Sequence, residues 1–331
     1  MKLSILDQVP VPENTEVEDA FSETVKLAKE ADKLGYTRYW IAEHHDFSGL
    51  ACPNPDTLMT LIGSQTHKIR LGAGAVLLPH YSPYKIAETY NLLSVLFPER
   101  IDLGLGRAPG GSAESSIALS NNYLENVKAY PKSVKELSNF INNSKQENPL
   151  YNKIKASPIP NNKPKVWMLG TSDKSAQLAI DNKLDYVFGH FMSSVNGPEI
   201  IKKYKNNFLN NYQVVPNIII AVSVICAETT EKAKRIARST AIWSAFNDTL
   251  QFDQIPSYEK SETYKGTNEI EGKIKKIMNR MVVGNPQEVS KKLTELTEIY
   301  QVDELMLVTN TFNYKDRLNS FNLIAKEMQL I

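Results

Sequence analysis

Three short stretches of this chain bring together side chains that can move protons or hold an anion. Glu43-His44-His45 sets a carboxylate beside two imidazoles. An imidazole can serve as general acid or base near neutral pH, and a neighbouring carboxylate can fix its tautomer. The same residues also read as a pair of loop histidines, one hydrogen-bonded and one in water. A metal site is the weaker reading, because no His-x-His ends the first strand and no acidic cluster ends the last. Arg107 precedes Ala108-Pro109-Gly110-Gly111. A fixed cation beside flexible glycines suits a phosphate or carboxylate, and equally a surface ion pair. Gly170-Thr171-Ser172, with Ser175 one turn on, offers N–H groups and hydroxyls at a helix start, a ready anion site. Ser172 would cap a helix there in any case, and Asp173 counts against a phosphate. Gly72-x-Gly74 and Gly104-x-Gly106 are fragments of a dinucleotide fingerprint, and neither completes it at the mouth of a helix. Gly74 either packs closely against the interior or leaves room for a planar ligand on the backbone.

Positioning these groups falls to an alternation of short β-branched runs and amphipathic helices, the pattern of a parallel sheet wound with helices. Strands are predicted at 2–9, 36–42, 69–78, 101–106, 166–169, 186–189, 218–226 and 303–309. Thr15 and Glu18 read as a capping box for the first helix, and Ser82-Pro83 as the start of another. Eight strand–helix units are the number that closes a (β/α)8 TIM barrel with insertions, and a doubly wound open sheet is the competing fold. The expectation is a single domain over 1–331. Residues 146–163, rich in Pro and Asn, read as an insertion. Residues 247–273 read as a long loop of the kind that forms a mobile lid. In a barrel, sites lie at the C-terminal ends of the strands. Those ends are Asp7-Gln8, Glu43-His44-His45, Gly74-Ala75, Gly106-Arg107, Gly170-Thr171-Ser172 and Gly189-His190-Phe191.

Composition narrows the function classes. Hydrophobic residues make up 42% of 331, enough for a large core. Lys and Arg number 38 against 37 acids, a net +1, which argues against nucleic acid or an anionic membrane as partner. Two cysteines, Cys52 and Cys226, exclude a disulfide framework and a Cys-based zinc site, and read as packed thiols. Trp40, Trp167 and Trp243 read as packing rather than stacking platforms. Residues 1–8 carry no apolar signal core and Ile218 to Cys226 is too short to span a bilayer, so a cytoplasmic protein is expected.

Several of these stretches in order resemble the bacterial luciferase-like flavin monooxygenases. They are Tyr39-Trp40-Ile41-Ala42-Glu43-His44-His45, Ile69 to Pro79, Ala87-Glu88-Thr89-Tyr90-Asn91-Leu92-Leu93, Arg100 to Arg107, and Trp167-Met168-Leu169-Gly170-Thr171-Ser172. The resemblance implies a TIM barrel that binds reduced FMN, often as a homodimer, supplied by a separate NAD(P)H:flavin reductase. By position it makes His44 the catalytic imidazole near the flavin C4a edge and Glu43 its acidic neighbour. Gly74-Ala75 matches a non-prolyl cis peptide against the ring. Arg107, Thr171, Ser172 and Ser175 match the phosphate grip, and 247–273 the mobile loop. The implied reaction is a C4a-peroxyflavin, formed from reduced FMN and O2, oxidising a small organic substrate. His190 stands where a luciferase α subunit has Trp beside the flavin, and Gly106 where it has Cys, which argues against a retained aldehyde pocket and light emission. The rivals are a deazaflavin-dependent hydride transferase on the same fold, a non-catalytic flavin-binding protein, and a metal-dependent TIM hydrolase.

Overall fold

Alternate side chains of a strand face opposite ways, and here one set faces a closed interior while the other meets a ring of helices. The computed structural model describes residues 1–246 and 252–330. The first half runs β1 (Lys2–Asp7), α1 (Val17–Lys33), β2 (Arg38–Ile41), α2 (Pro55–Gly63), β3 (Arg70–Leu77), α3 (Pro83–Leu96), β4 (Ile101–Gly106), α4 (Ala113–Leu119) and α5 (Tyr123–Asn142). The second runs β5 (Lys165–Gly170), α6 (Asp173–Asp181), β6 (Asp185–Gly189), α7 (Gly197–Tyr212), β7 (Ile218–Cys226), α8 (Thr230–Ala245), α9 (Tyr258–Thr263), α10 (Asn268–Arg280), β8 (Val282–Gly284), α11 (Pro286–Tyr300), β9 (Glu304–Val308) and α12 (Tyr314–Glu327).

β1 to β7 pair in sequence, all parallel, β7 pairs with β9, and β9 with β1. The sheet therefore closes, and the open doubly wound alternative is excluded. β8 is an addition to the eight expected strands. It stands outside the ring, paired with the far end of β7 through Val224↔Val282. None of the described helices is long and apolar enough to cross a membrane.

Outward residues such as Ile5, Tyr39, Ile41, Leu71 and Leu103 join the main core against the helices. The inward ones are sorted by height. At the bottom, Arg38 donates to Asp102 (2.7 Å) and Glu304 (2.8 Å), Arg70 donates to Asp102 (2.6 Å), and Ser4 donates to Glu304 (2.6 Å). Asp102 is fully buried and Glu304 and Arg38 nearly so. Above them, Trp40 and Trp167 meet edge to face at 5.8 Å, and the Trp40 indole N–H reaches down to Asp102 (3.1 Å). Gly72 is required by this layer: a Cβ there would sit 2.5 Å from Trp40 Nε1. Half of the first Gly-x-Gly fragment is thus explained by packing. Higher still the inward residues carry no ring, with Leu6, Ala42, Ala221 and Met306 forming a floor.

A second buried ion pair ties the end of β1 to the helices. Asp7 pairs with Arg317 of α12 and accepts from Tyr39, from Thr24 of α1 (2.8 Å) and from the Val9 N–H (2.6 Å). Burial alone would raise the Asp7 pKa; the Arg317 charge and these donors outweigh it and hold the carboxyl below its usual range. Asp7 is therefore structural, and of its strand end only Gln8 lines the site.

Several local expectations shift. α1 is capped by Glu16, whose N–H donates to Asp19 (3.4 Å), one residue after the predicted Thr15–Glu18 box; Thr15 donates to Pro12 O (2.7 Å) instead. α4 is a helix that the periodicity does not predict. Residues 247–251 of the expected loop lie outside the described residues, and the remainder, far from being structureless, holds α9 and the start of α10. The 146–163 stretch contains a short 3-10 turn, Pro149–Lys153, and a cis Ser157–Pro158 bond.

Removing one partner of a buried ion cluster leaves the others uncompensated, at a cost of about 3–5 kcal/mol. Arg38→Met is expected to lower unfolding stability by that order in urea titration. A loss below about 1 kcal/mol would show that the barrel floor does not depend on the pairing.

Candidate active site

At the C-terminal mouth of the barrel lies a cavity of about 1150 Å³. This exceeds the roughly 300–1,000 Å³ of an ordinary single-ligand pocket. It is lined by Glu43, His44, Gly74, Ala75, Arg107, Thr171, Ser172 and Ser175, residues far apart in sequence that strand ends bring to one place. His190 is not among them, and its expected place beside the cofactor is corrected. It faces away, its Nδ1 2.8 Å from the Tyr300 hydroxyl of α11, and Phe191 and Met192 line the wall beside it.

The β2 end is shaped by its own carboxylate. Glu43, buried, accepts from His45 Nε2 (2.9 Å), the Tyr81 hydroxyl (2.6 Å) and the Leu77 N–H (3.1 Å). The expectation that Glu43 orients His44 is therefore corrected. Adjacent residues leave a strand end in opposite directions, so the carboxylate is drawn to His45 and to the end of β3. His44 turns into the cavity instead. Its backbone N–H donates to Cys52 O (2.9 Å), while its ring Nδ1 is out of solvent with no hydrogen-bond partner. Burial, reinforced by the neighbouring His45, pushes the His44 imidazole down to about 4. It is a neutral ring carrying one N–H and one lone pair.

β3 carries a cis Gly74–Ala75 peptide at the cavity wall. Gly74 serves packing as well as access, since a Cβ there would lie 2.7 Å from Leu6 Cδ1. Arg107 follows β4 and is exposed on the rim. Among the described residues no carboxylate pairs with its guanidinium, so the surface ion-pair reading does not hold there. Across from it, α6 starts at Ser172, which forms a capping box with Ser175. The Ser175 hydroxyl is also 2.8 Å from Tyr186 OH, so in the protein alone it helps to hold the turn while lining the cavity. The Thr171 hydroxyl makes no hydrogen bond among the described residues. Lys174 adds positive charge to the same rim, whereas Lys128 there pairs with Glu125 (2.8 Å) and Asp181 lies beside them.

Two ends of a ligand can be read from this arrangement. An unpaired guanidinium, a free hydroxyl and the first turn of α6 suit an anion. The glycine-walled side, with the uncharged His44 ring beside it, suits a planar heteroaromatic group. A flavin mononucleotide has both features, and the residues fit it. Among the described residues no group of three or more His, Cys, Asp or Glu could hold a metal ion. Gln8, Met168, Leu169, Tyr130 and Met306 also line the cavity; Gln8 is visible in the sequence as a strand end, whereas the others read only as core.

The sequence model of the luciferase-like monooxygenases matches residues 1–301. The chain is 38% identical to an uncharacterised Bacillus subtilis protein, YwcH, over 98% of both chains. It is 33% identical to the N-acetyl-S-alkylcysteine monooxygenase of Bacillus subtilis, covering 98% of this chain and 97% of the relative. The crystal structure of apo-MsnO8 superposes with a TM-score of 0.88 at 30% identity, covering 100% of this chain and 99% of the other.

The depressed His44 pKa sets a solution expectation. NMR of the imidazole should give a midpoint about 4, with the ring neutral through pH 6 to 8. A midpoint near the ordinary value of about 6.5 would mean that the ring is hydrated or paired.

Proposed function

The chain belongs to the luciferase-like monooxygenase family, and from that premise we propose that it is an oxidoreductase using reduced FMN and O2 to oxygenate a small organic substrate. The observation that carries the reading is the cavity that joins an unpaired Arg107 and the start of α6 to the ring of His44. The flavin is supplied in reduced form by a separate NAD(P)H-dependent reductase. When bound, it provides the electrons that activate O2.

The protein's share is position, charge and exclusion of water. Arg107, the Thr171 hydroxyl and the N–H groups opening α6 hold the phosphate. The Gly74–Ala75 backbone supports the planar ring from β3. His44, neutral at physiological pH, gives or takes a proton at Nε2, the ring nitrogen that has no hydrogen-bond partner among the described residues and, unlike Nδ1, is not shut out of solvent. Glu43 acts at one remove by fixing His45 and the end of β3. From the 247–273 segment, Ile255 packs with Trp243 and Phe47, and the Phe47 ring lies against His44 at 6.2 Å. That contact supports a role for the segment in keeping water from the reduced cofactor.

Two measurements test this. FMN is expected to bind, and Arg107→Ala to weaken FMN roughly ten- to hundredfold, the worth of a charge-assisted contact, with riboflavin little affected. Binding of a deazaflavin to the exclusion of FMN would favour hydride transfer, and no flavin binding at all would overturn the reading. In turnover with NADH, a flavin reductase and 18O2, thioethers of the N-acetyl-S-alkylcysteine type are the first substrates to try. His44→Ala is expected to cut 18O product formation about 100-fold while H2O2 release continues. Unchanged coupling would remove His44 from the chemistry.

A further inference from the structure

The wall facing the anion end carries a polar pair that the cofactor reading does not use. Gln8 follows β1, and β1 stands four strands from β5 whichever way round the barrel is counted. Gln8 is thus diametrically opposite the Thr171–Ser175 turn while lining the same cavity. Behind it is Asn310, just past the end of β9 and nearly buried at 6% exposure. Asn310 is anchored through its backbone, whose carbonyl accepts from Thr240 of α8 (2.7 Å). Its side-chain Nδ2 donates to Gln8 Oε1 (2.6 Å).

In this arrangement the oxygen end of the Gln8 amide is engaged. Oε1 is taken, and among the described residues Nε2 has no acceptor, so two N–H donors remain. The Asn310 Oδ1 is itself buried without a partner, which marks the pair as incomplete in the protein alone. Around Gln8 the wall is apolar, made by Leu6, Ala42 and Met306. An oriented amide NH2 in an apolar surround selects for a ligand that has an acceptor oxygen on a hydrophobic body.

We propose that Gln8, held by Asn310, is the specificity-determining residue of the substrate end, and that the substrate is an apolar molecule bearing a carbonyl, amide or carboxylate oxygen that accepts from Gln8 Nε2. The proposal rests on the flavin monooxygenase reading for the meaning of "substrate", but its geometry does not depend on the cofactor's identity.

The test uses isosteric probes on the whole protein with FMN present: acetophenone, α-methylstyrene, in which CH2 replaces the carbonyl oxygen, and 1-phenylethylammonium, a donor of similar shape. Saturation-transfer NMR gives relative affinities. The protein is expected to prefer acetophenone over α-methylstyrene about fivefold, one buried hydrogen bond. Gln8→Leu should bring that ratio to about one. Gln8→Glu keeps the Asn310 bond but offers an acceptor to the cavity, and should shift preference to 1-phenylethylammonium. Melting temperatures of both variants establish that the fold is intact. No ketone preference in the parent protein, or one that survives both substitutions, overturns the proposal. Failure of FMN to bind while the probe preferences follow Gln8 would instead overturn the cofactor reading and leave this one standing.

Discussion

The interior of a closed eight-stranded barrel is one narrow column, and every inward side chain competes for it. In this protein the competition is settled by height. β2 and the residue after it illustrate the order: Arg38 at the bottom, Trp40 in the middle, Ala42 at the top. β9 repeats it with Glu304, Met306 and Val308. Charge at the bottom is tolerated only because each ion finds its counterpart, with Arg38 and Arg70 balancing Asp102 and Glu304. The indole layer then seals that cluster from above. Trp40 takes so much of the column that β3 must answer with glycine at Gly72, while at Gly104 of β4 a Cβ would meet the Ala73 carbonyl oxygen at 2.3 Å. The space left over collects at the C-terminal mouth, where small residues leave a cavity large enough for a cofactor and a second ligand.

The same constraint governs the two titratable neighbours at the end of β2. A carboxylate and an imidazole side by side suggest a catalytic pair, yet their side chains diverge. Glu43 is fully engaged by His45, Tyr81 and the Leu77 N–H, so it acts as a clamp between β2 and β3. His44, denied that carboxylate, gains nothing to stabilise a positive charge and bears the desolvation cost of burial. The outcome is a neutral base next to a cationic rim. Had Glu43 faced His44, the imidazolium would have been favoured and its lone pair lost.

Most of the barrel is legible in the sequence because its strands are short β-branched runs between amphipathic helices with ordinary start signals, and because eight of them satisfy closure. What escapes has physical reasons. α10 goes unread altogether, its start taken as loop, because Gly272 interrupts it, although Ile270, Ile274, Ile277 and Met278 keep helical spacing on a face that packs against α8. β8 has three residues and one neighbour, too little pattern to register. Among site residues, those whose types are scarce in a core (His44, Arg107, Ser172) can be found from strand-end position. His190 satisfies the same rule and yet faces elsewhere. The chain turns into a short 3-10 segment, His190–Met192, directly after β6. That turn points His190 to Tyr300 and leaves Phe191 and Met192 on the cavity side.

Linkage connects the site to stability. His44 has its folded pKa depressed from about 6.5 to about 4 by burial and then by His45. The unfolded chain therefore takes up the proton first as pH falls. The stability tied to a neutral His44 is thus fully present above about pH 6.5, and it drains between there and about pH 4. Asp7 works in the same direction. Its folded pKa lies below the unfolded value because Arg317 and its donors overcome burial, so its contribution is also lost with acid, at lower pH. Acid thus acts first on the imidazole at the mouth of the barrel and later on the ion pair that holds β1 to α12. Function and stability are coupled through one requirement, a dry His44. A substitution that wets the cavity would raise the imidazole pKa towards its free value, relieving the acid sensitivity of the fold while spoiling the neutral base that the site is arranged to provide.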